Sequence, residues 1–191
     1  MKVNKRIDRD GQAATKIFDN RRLKVDYRTL IPILKKGMLV LDVGCGTGSI
    51  SRDIANIIGD AGKVIGIDTT EQFIKSGEKT YEETTNLELI HSDLFKFNPT
   101  QKFDLITSAR TLQWLNNPKD ALLKMKSLLN PKGVISILDY NHDTIEWNPE
   151  PPVSMKKFYT TFLNWRRDVG MNNGIADDLP KLMKDIGLIA I

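Results

Sequence analysis

Three aspartates each close or end a short apolar run: Asp42 in LVLDV, Asp68 at the end of KVIGID, and Asp93 directly after LELIHS. A carboxylate at Asp68 can accept the hydrogens of both hydroxyls of a ribose. A carboxylate at Asp93 can accept from an exocyclic amine such as that of adenine, or can cap a helix. Asp42 stands two residues before Gly44, and Gly44, Gly46 and Gly48 then occupy alternate positions. Glycine costs conformational entropy, so such a cluster implies a tight turn or a ligand that approaches the backbone closely. The spacing is G-x-G-x-G, not the dinucleotide fingerprint G-x-G-x-x-G, whose third glycine would fall at Ser49. Cys45, inside the loop, reads as a small apolar filler; no histidine lies near it in sequence to activate it. Asp139, Tyr140 and His142 follow a later apolar run, and His142 is the candidate general base because its unperturbed pKa lies near neutrality.

The elements that must position these residues alternate in type. Apolar runs at 38–43, 63–68, 87–92, 103–108 and 133–140 read as strands. Between them, 49–58, 71–83 and 119–129 carry helical periodicity, with NPKG stopping the last. Strands that are apolar on both faces, with helices between, imply an α/β fold with a doubly wound, mainly parallel sheet. The glycine turn and the three acids then sit at the carboxyl edge, where open α/β sheets bind ligands. One or two helices are expected over 12–35. A helix capped by Ser154 is expected to about Val169, with Met155, Phe158, Tyr159 and Phe162 on one face. A last helix runs from Asp177 or Asp178 to Ile186, stopped by Gly187.

With these residues, VLDVGCGTG, VIGID, HSD, FDLITSARTLQWL and LLNPKGVISILDY, the chain resembles the class I S-adenosylmethionine-dependent methyltransferases. More narrowly it is similar to the small-molecule branch that includes the ubiquinone- and menaquinone-biosynthesis enzymes. The resemblance implies a Rossmann-like sheet of order 3-2-1-4-5 and S-adenosyl-L-methionine as cofactor, with S-adenosyl-L-homocysteine as product. It implies that Gly44, Cys45, Gly46 and Gly48 form the loop at the methionine end, and that Asp42 orients this loop and meets the amino group. Asp68 would hold the ribose, Thr69 would lie against the adenine, and Asp93 with Leu94 would hold its edge. Ser108, Ala109 and Arg110 would line the floor near the sulfonium. Gln12 and Tyr27 are candidates for covering the methionine end. The acceptor is expected to be a lipophilic or aromatic small molecule, under an apolar lid whose basic end is Trp165, Arg166 and Arg167. The alternatives are a non-catalytic cofactor-binding module, a nicotinamide-dependent oxidoreductase and a nucleic-acid methyltransferase. The oxidoreductase is disfavoured by the glycine spacing. The NPEPP segment, 148–152, has neither the order nor the position of the Asn-Pro-Pro-aromatic motif of nucleic-acid amino-methyltransferases.

Composition narrows the classes further. The chain has 191 residues, one cysteine and two histidines, so a disulfide is excluded within the chain and a protein metal site is not expected. No apolar run approaches the roughly 20 residues of a bilayer span, and the start of the chain lacks a secretory apolar stretch; the expected location is cytoplasmic. The net charge of +4 comes from residues 1–28, which carry nine Lys/Arg against four Asp. That is a solvated arm, and nucleic acid is not the expected partner. The expected organisation is an N-terminal arm over 1–36, a cofactor-binding core over 37–140, a lid over 141–187 and the start of a sixth strand at 188–191. The resembled fold has seven strands, so the sequence predicts a truncated hairpin and a fifth strand whose free edge is covered by Leu188–Ile191, by the 154–169 helix or by a second copy of the chain.

Overall fold

The computed structural model describes residues 19–189. Part of the expected N-terminal helix, Gln12, and Ala190 and Ile191 of the expected sixth strand lie outside the described residues. A short helix α1 (Leu23–Asp26) and a 3-10 turn (Arg28–Ile33) lead into β1 (Leu39–Val43). Then follow α2 (Ser49–Ile58), β2 (Lys63–Asp68), α3 (Glu71–Thr80), β3 (Leu87–His91) and β4 (Phe103–Ala109). A 3-10 turn (Leu112–Trp114) precedes α4 (Pro118–Ser127) and β5 (Leu129–Leu138). The chain closes with a 3-10 turn (His142–Thr144), α5 (Val153–Asp168) and α6 (Ile175–Asp185).

The five strands form one sheet in the order β3-β2-β1-β4-β5, as expected. β1 pairs in parallel with β2 on one side and β4 on the other, and β2 pairs in parallel with β3. The order reverses between β1 and β4, so the turn after β1 opens at the topological switch point. Val40, Leu41, Val64, Ile65, Ile67, Leu105 and Ile106 are buried, which explains why these strands are apolar on both faces.

Two compact units emerge: residues 19–109 with 124–137, and residues 110–123 with 138–189. The described part of the expected N-terminal arm, residues 19–36, groups with the sheet. Its Leu23 amide donates to Asp53 on α2, and the Tyr27 hydroxyl shares a hydrogen bond of 2.8 Å with Ser136 on β5. Residues 110–123, expected within the core, group with the C-terminal helices.

Three local expectations are corrected. α4 ends at Ser127, and NPKG lies within β5, with Lys132 at φ 67°; an edge strand tolerates the missing Pro131 donor. α5 begins at Val153 with Pro152 at its N-cap, so Ser154 is inside the helix and caps nothing. On α5, Met155 and Phe158 are exposed, while Tyr159 and Phe162 are half-buried and Arg166 is buried. β5 is the terminal strand of the sheet among the described residues, and Val134, Ile135, Ile137 and Leu138 are only half-buried. Leu188 and Ile189 are not in a strand.

Candidate functional site

The glycine loop takes its shape from three left-handed residues, with φ of 74° at Gly44, 60° at Gly46 and 79° at Gly48. Side-chain-bearing residues adopt such angles only under strain, so the three glycines are required by the turn itself. The loop is stitched to β2: the Gly44 and Cys45 amides donate to the Ile67 carbonyl, and the Gly46 amide donates to Asp68 Oδ2 at 3.0 Å. The other Asp68 oxygen accepts from the Thr70 amide at 2.8 Å. Neighbouring glycines let the layers close on the loop. A Cβ at Gly77 on α3 would stand 2.2 Å from the Thr47 carbonyl oxygen, and one at Gly66 would stand 3.0 Å from Cys45 Sγ. Cys45 therefore packs over β2, and burial pushes its thiol well above the ordinary range, so it is held as a neutral thiol.

Asp42 is buried, and its Oδ2 accepts from Ser51 Oγ at 2.6 Å. Burial pushes its carboxyl up to about 6; the Ser51 hydrogen bond opposes the rise and the charge of Asp68 adds to it. A small cavity lies against it, lined by Arg21, Gly44, Cys45, Ser49, Ile50 and Ala109. Arg21 is brought there by its own segment: Ser49 Oγ donates to the Arg21 carbonyl, and Arg22 Nη1 donates to Ser49 Oγ at 3.0 Å. Asp42 and Arg21 thus both line the cavity.

The remaining expected residues fall in definite places. His91 Nε2 donates to the Thr69 carbonyl at 3.1 Å. Leu94 is buried. Asp93 caps its own turn, Oδ1 accepting from the Phe95 amide at 2.7 Å. Ser108 is buried and donates to the Val43 carbonyl. Ala109 joins Asp42 and Gly44 at the cavity. Tyr27, expected over the methionine end, is buried and points its hydroxyl at Ser136. Arg110 belongs to the other unit, at φ 59°, with its guanidinium 5.4 Å from the centre of the Tyr140 ring.

That second unit contains a polar and aromatic cluster that the sequence showed only in part. His142 is 8 % exposed. Its Nδ1 shares a hydrogen bond of 2.8 Å with the Tyr159 hydroxyl, and its Nε2 shares one with Gln113 Oε1. With Nε2 donating to Gln113 and Nδ1 accepting from Tyr159, both nitrogens are engaged. Burial, with the nearby Arg166 charge, pushes the imidazole down to about 4. His142 is a neutral, fixed side chain in a buried cluster, not the solvent-facing base in an open loop that its position in sequence predicts. Arg166 is buried as well: Nε donates to Asn173 Oδ1 at 2.8 Å, and Nη2 donates to the Gln113 carbonyl at 2.7 Å. The rings of Trp114 and Phe162 lie 5.0 and 5.5 Å from the guanidinium. It is therefore no exposed basic end. Asp139 Oδ2 accepts from the Leu112 amide at 3.0 Å, and Oδ1 is buried with no hydrogen-bond partner among the described residues. Burial raises this carboxyl to about 6 against the pull of the Gln113 and Leu112 amides. No group of three or more His, Cys, Asp or Glu placed to hold a metal occurs among the described residues, and no helix there is long and apolar enough to cross a membrane.

With this geometry in place, known proteins give it a context. The Methyltransferase domain family matches residues 34–185, and the chain belongs to that family. It is 28% identical over 145 residues to malonyl-[acyl-carrier protein] O-methyltransferase 2 of Ilyobacter polytropus, covering 73% of this chain and 56% of that protein. It is 31% identical over 113 residues to the demethylmenaquinone methyltransferase of Staphylococcus carnosus, covering 59% of this chain and 47% of that one. The chain thus spans about half the length of these relatives. A crystal structure of a SAM-dependent methyltransferase from Aquifex aeolicus shares the fold, with a TM-score of 0.69 and 24% identity over 95% of this chain and 89% of that one.

Proposed function

We propose that this methyltransferase-domain chain binds S-adenosyl-L-methionine at the carboxyl edge of β1, β2 and β3 and transfers its methyl group to a small-molecule acceptor. One observation carries the reading. The cavity against the glycine loop is lined by Asp42 and Arg21, whose side chains carry the two charges that complement the ammonium and carboxylate of an amino acid. Asp68 supports it from the next strand. Each of its oxygens accepts one backbone amide, and each keeps a lone pair for a ribose hydroxyl. Asp93 has its Oδ1 engaged in its own cap, so adenine recognition there falls to its second oxygen and to the backbone of Leu94. Two proteins sharing this fold, PKMT2 of Rickettsia typhi and coclaurine N-methyltransferase, have been solved with AdoHcy and SAH bound.

When bound, the cofactor supplies an electrophilic methyl group. The chain's share is to orient, to exclude water and to take a proton where the acceptor carries one. His142 is ill-suited to the last task, because both nitrogens are taken and it is neutral well below pH 7. Asp139 suits it better: one oxygen is fixed by a backbone amide, the other is unpartnered, and the carboxyl titrates at about 6, near the pH at which a general base works. Trp114, Tyr140, Tyr159 and Phe162 surround His142 and Arg166, and such an aromatic setting suits a lipophilic or aromatic acceptor. The relatives named for malonyl-[acyl-carrier protein] and demethylmenaquinone define the acceptor classes to try first.

The test is calorimetric titration with S-adenosyl-L-homocysteine, wild type against Asp68→Ala, followed by a panel of quinol, phenol and carboxylate acceptors. The variant loses hydrogen bonds to two hydroxyls, each worth roughly 1.5–3 kcal/mol, so affinity falls at least about tenfold with the fold intact. Equal affinity of the two proteins refutes the assignment. Tight binding without turnover of any acceptor favours the non-catalytic module, the second reading that the engaged nitrogens of His142 keep open.

A further inference from the structure

A second cleft, of about 590 Å³, opens at the amino ends of β1, β4 and β5, the sheet edge opposite the glycine loop. Its volume lies within the range of small-molecule sites, about 300–1,000 Å³. Three lysines line it, Lys35, Lys36 and Lys132, all exposed and none in an ion pair among the described residues. One acid, Asp104, faces them. Both of its oxygens are already used: Oδ2 accepts from the Leu39 amide at 2.9 Å and Oδ1 from Asn130 Nδ2 at 2.8 Å. Asp104 therefore ties the starts of β1, β4 and β5 together, and Lys35 and Lys132 leave the cleft an excess of positive charge, while Lys36 extends its ammonium toward Gly59.

The rest of the wall is aliphatic and bare. Ile33, Met38 and Val134 contribute apolar surface, with Pro32 and Pro131 beside them. No aromatic ring lines it, so it offers nothing to stack on a base or a quinone. At Gly133 a Cβ would stand 2.9 Å from the Phe103 carbonyl oxygen and 3.0 Å from that of Asn130, so the strand closes against its neighbours here only without a side chain. Lys132 is held at φ 67°, an angle that costs a side-chain-bearing residue energy and that collects at ligand sites. Here it accompanies the turn that brings the Lys132 side chain to the cleft.

We propose that this cleft is a second ligand site, separate from the methyl-transfer site, for a soluble aliphatic molecule ending in a phosphate or carboxylate. The lysines meet the anion and the aliphatic wall takes the chain. The proposal does not depend on the cofactor reading, because none of its residues lies at the glycine loop.

The experiment follows backbone amide shifts by NMR in the full chain during titration with octyl phosphate, inorganic phosphate and octanol. Octyl phosphate shifts Gly37, Gly133 and Val134 and binds at least about tenfold more tightly than either fragment; binding weakens as salt rises from about 50 to about 500 mM. Lys35→Glu with Lys132→Glu lowers that affinity at least about tenfold and leaves S-adenosyl-L-homocysteine binding unchanged. Any of four results overturns the proposal: no shift at these amides, shifts centred on Gly44–Gly48, equal affinity in the charge-reversed protein, or octanol binding as tightly as octyl phosphate. Capture of the chain by phosphatidic-acid vesicles without any response to octyl phosphate also overturns it, in favour of a lipid surface.

Discussion

Replacing Asp42 by Asn trades function for stability in a pH-dependent way. In the folded chain burial raises the Asp42 carboxyl from 3.8 to about 6. The folded state therefore binds a proton that the unfolded state has already released between those two values. Stability contributed by the neutral carboxyl is fully present below 3.8 and is lost as pH rises through about 6. Two pH units at 1.36 kcal/mol each make the full penalty about 3 kcal/mol above pH 6. Asparagine keeps an acceptor for the Ser51 hydroxyl and carries no charge. Its new amide hydrogens need partners, so the net gain is about 1–3 kcal/mol at pH 8 and near zero at pH 3.5. The assay is denaturant unfolding of both proteins at half-unit steps from pH 3.5 to 8. A difference between them that does not change with pH refutes the reasoning. In the same variant, S-adenosyl-L-homocysteine affinity falls at least about tenfold, because the carboxylate assigned to the amino group is gone. Saturating ligand also flattens the wild-type pH dependence, since a bound ammonium lowers the Asp42 pKa.

Other perturbations separate the roles of individual side chains. The His142 ring protons, followed by NMR, titrate near pH 4; a midpoint near 6.5 means the ring is solvated and free to act as a base. Gly77→Ala places a methyl 2.2 Å from the Thr47 carbonyl oxygen, so it destabilises by about 1–3 kcal/mol and weakens cofactor binding by displacing the loop; an unchanged melting curve refutes this packing. Arg166→Lys removes the planar fork that serves Asn173, Asn172 and Gln113 together. It costs about 2–4 kcal/mol, and its signature is faster hydrogen exchange in α5 with the β-sheet amides unchanged.

The sheet and its glycine loop were legible in sequence for a physical reason. Parallel strands buried on both faces must be continuously apolar, and a turn with three positive φ angles must carry three glycines, so pattern and geometry constrain each other. The C-terminal segments carry no such mutual constraint. On α5 the aromatic spacing pointed to Met155 and Phe158 as buried, yet the buried face runs through Tyr159, Phe162 and Arg166. Its deepest member is a charged residue, which a hydrophobic pattern cannot identify. Gln113 and Asn173 are equally silent, because a polar residue in a loop is ordinarily solvated. Only the partners show that they are buried to satisfy the guanidinium. Arg21 lay inside a basic arm whose charge read as solvation, and nothing in its spacing marked it as the one that reaches the Asp42 cavity. β5 was placed late because NPKG reads as a helix stop, whereas the helix ends before it and an edge strand absorbs the proline.

Asp42 and Asp139 belong to different units and are held in the same way. Each has one oxygen fixed by a neutral donor, Ser51 Oγ or the Leu112 amide, and each is raised by burial to about 6. Neither makes an ion pair among the described residues. The Arg21 charge pulls Asp42 down and the Arg166 charge pulls Asp139 down, but burial outweighs both. Two carboxylates that are buried and charged above pH 6 weaken the fold by amounts that count against a typical total stability of about 5–15 kcal/mol. On the proposed function an ammonium relieves the charge at Asp42, so a bound ligand carrying that group removes the pH dependence that Asp42 gives the fold.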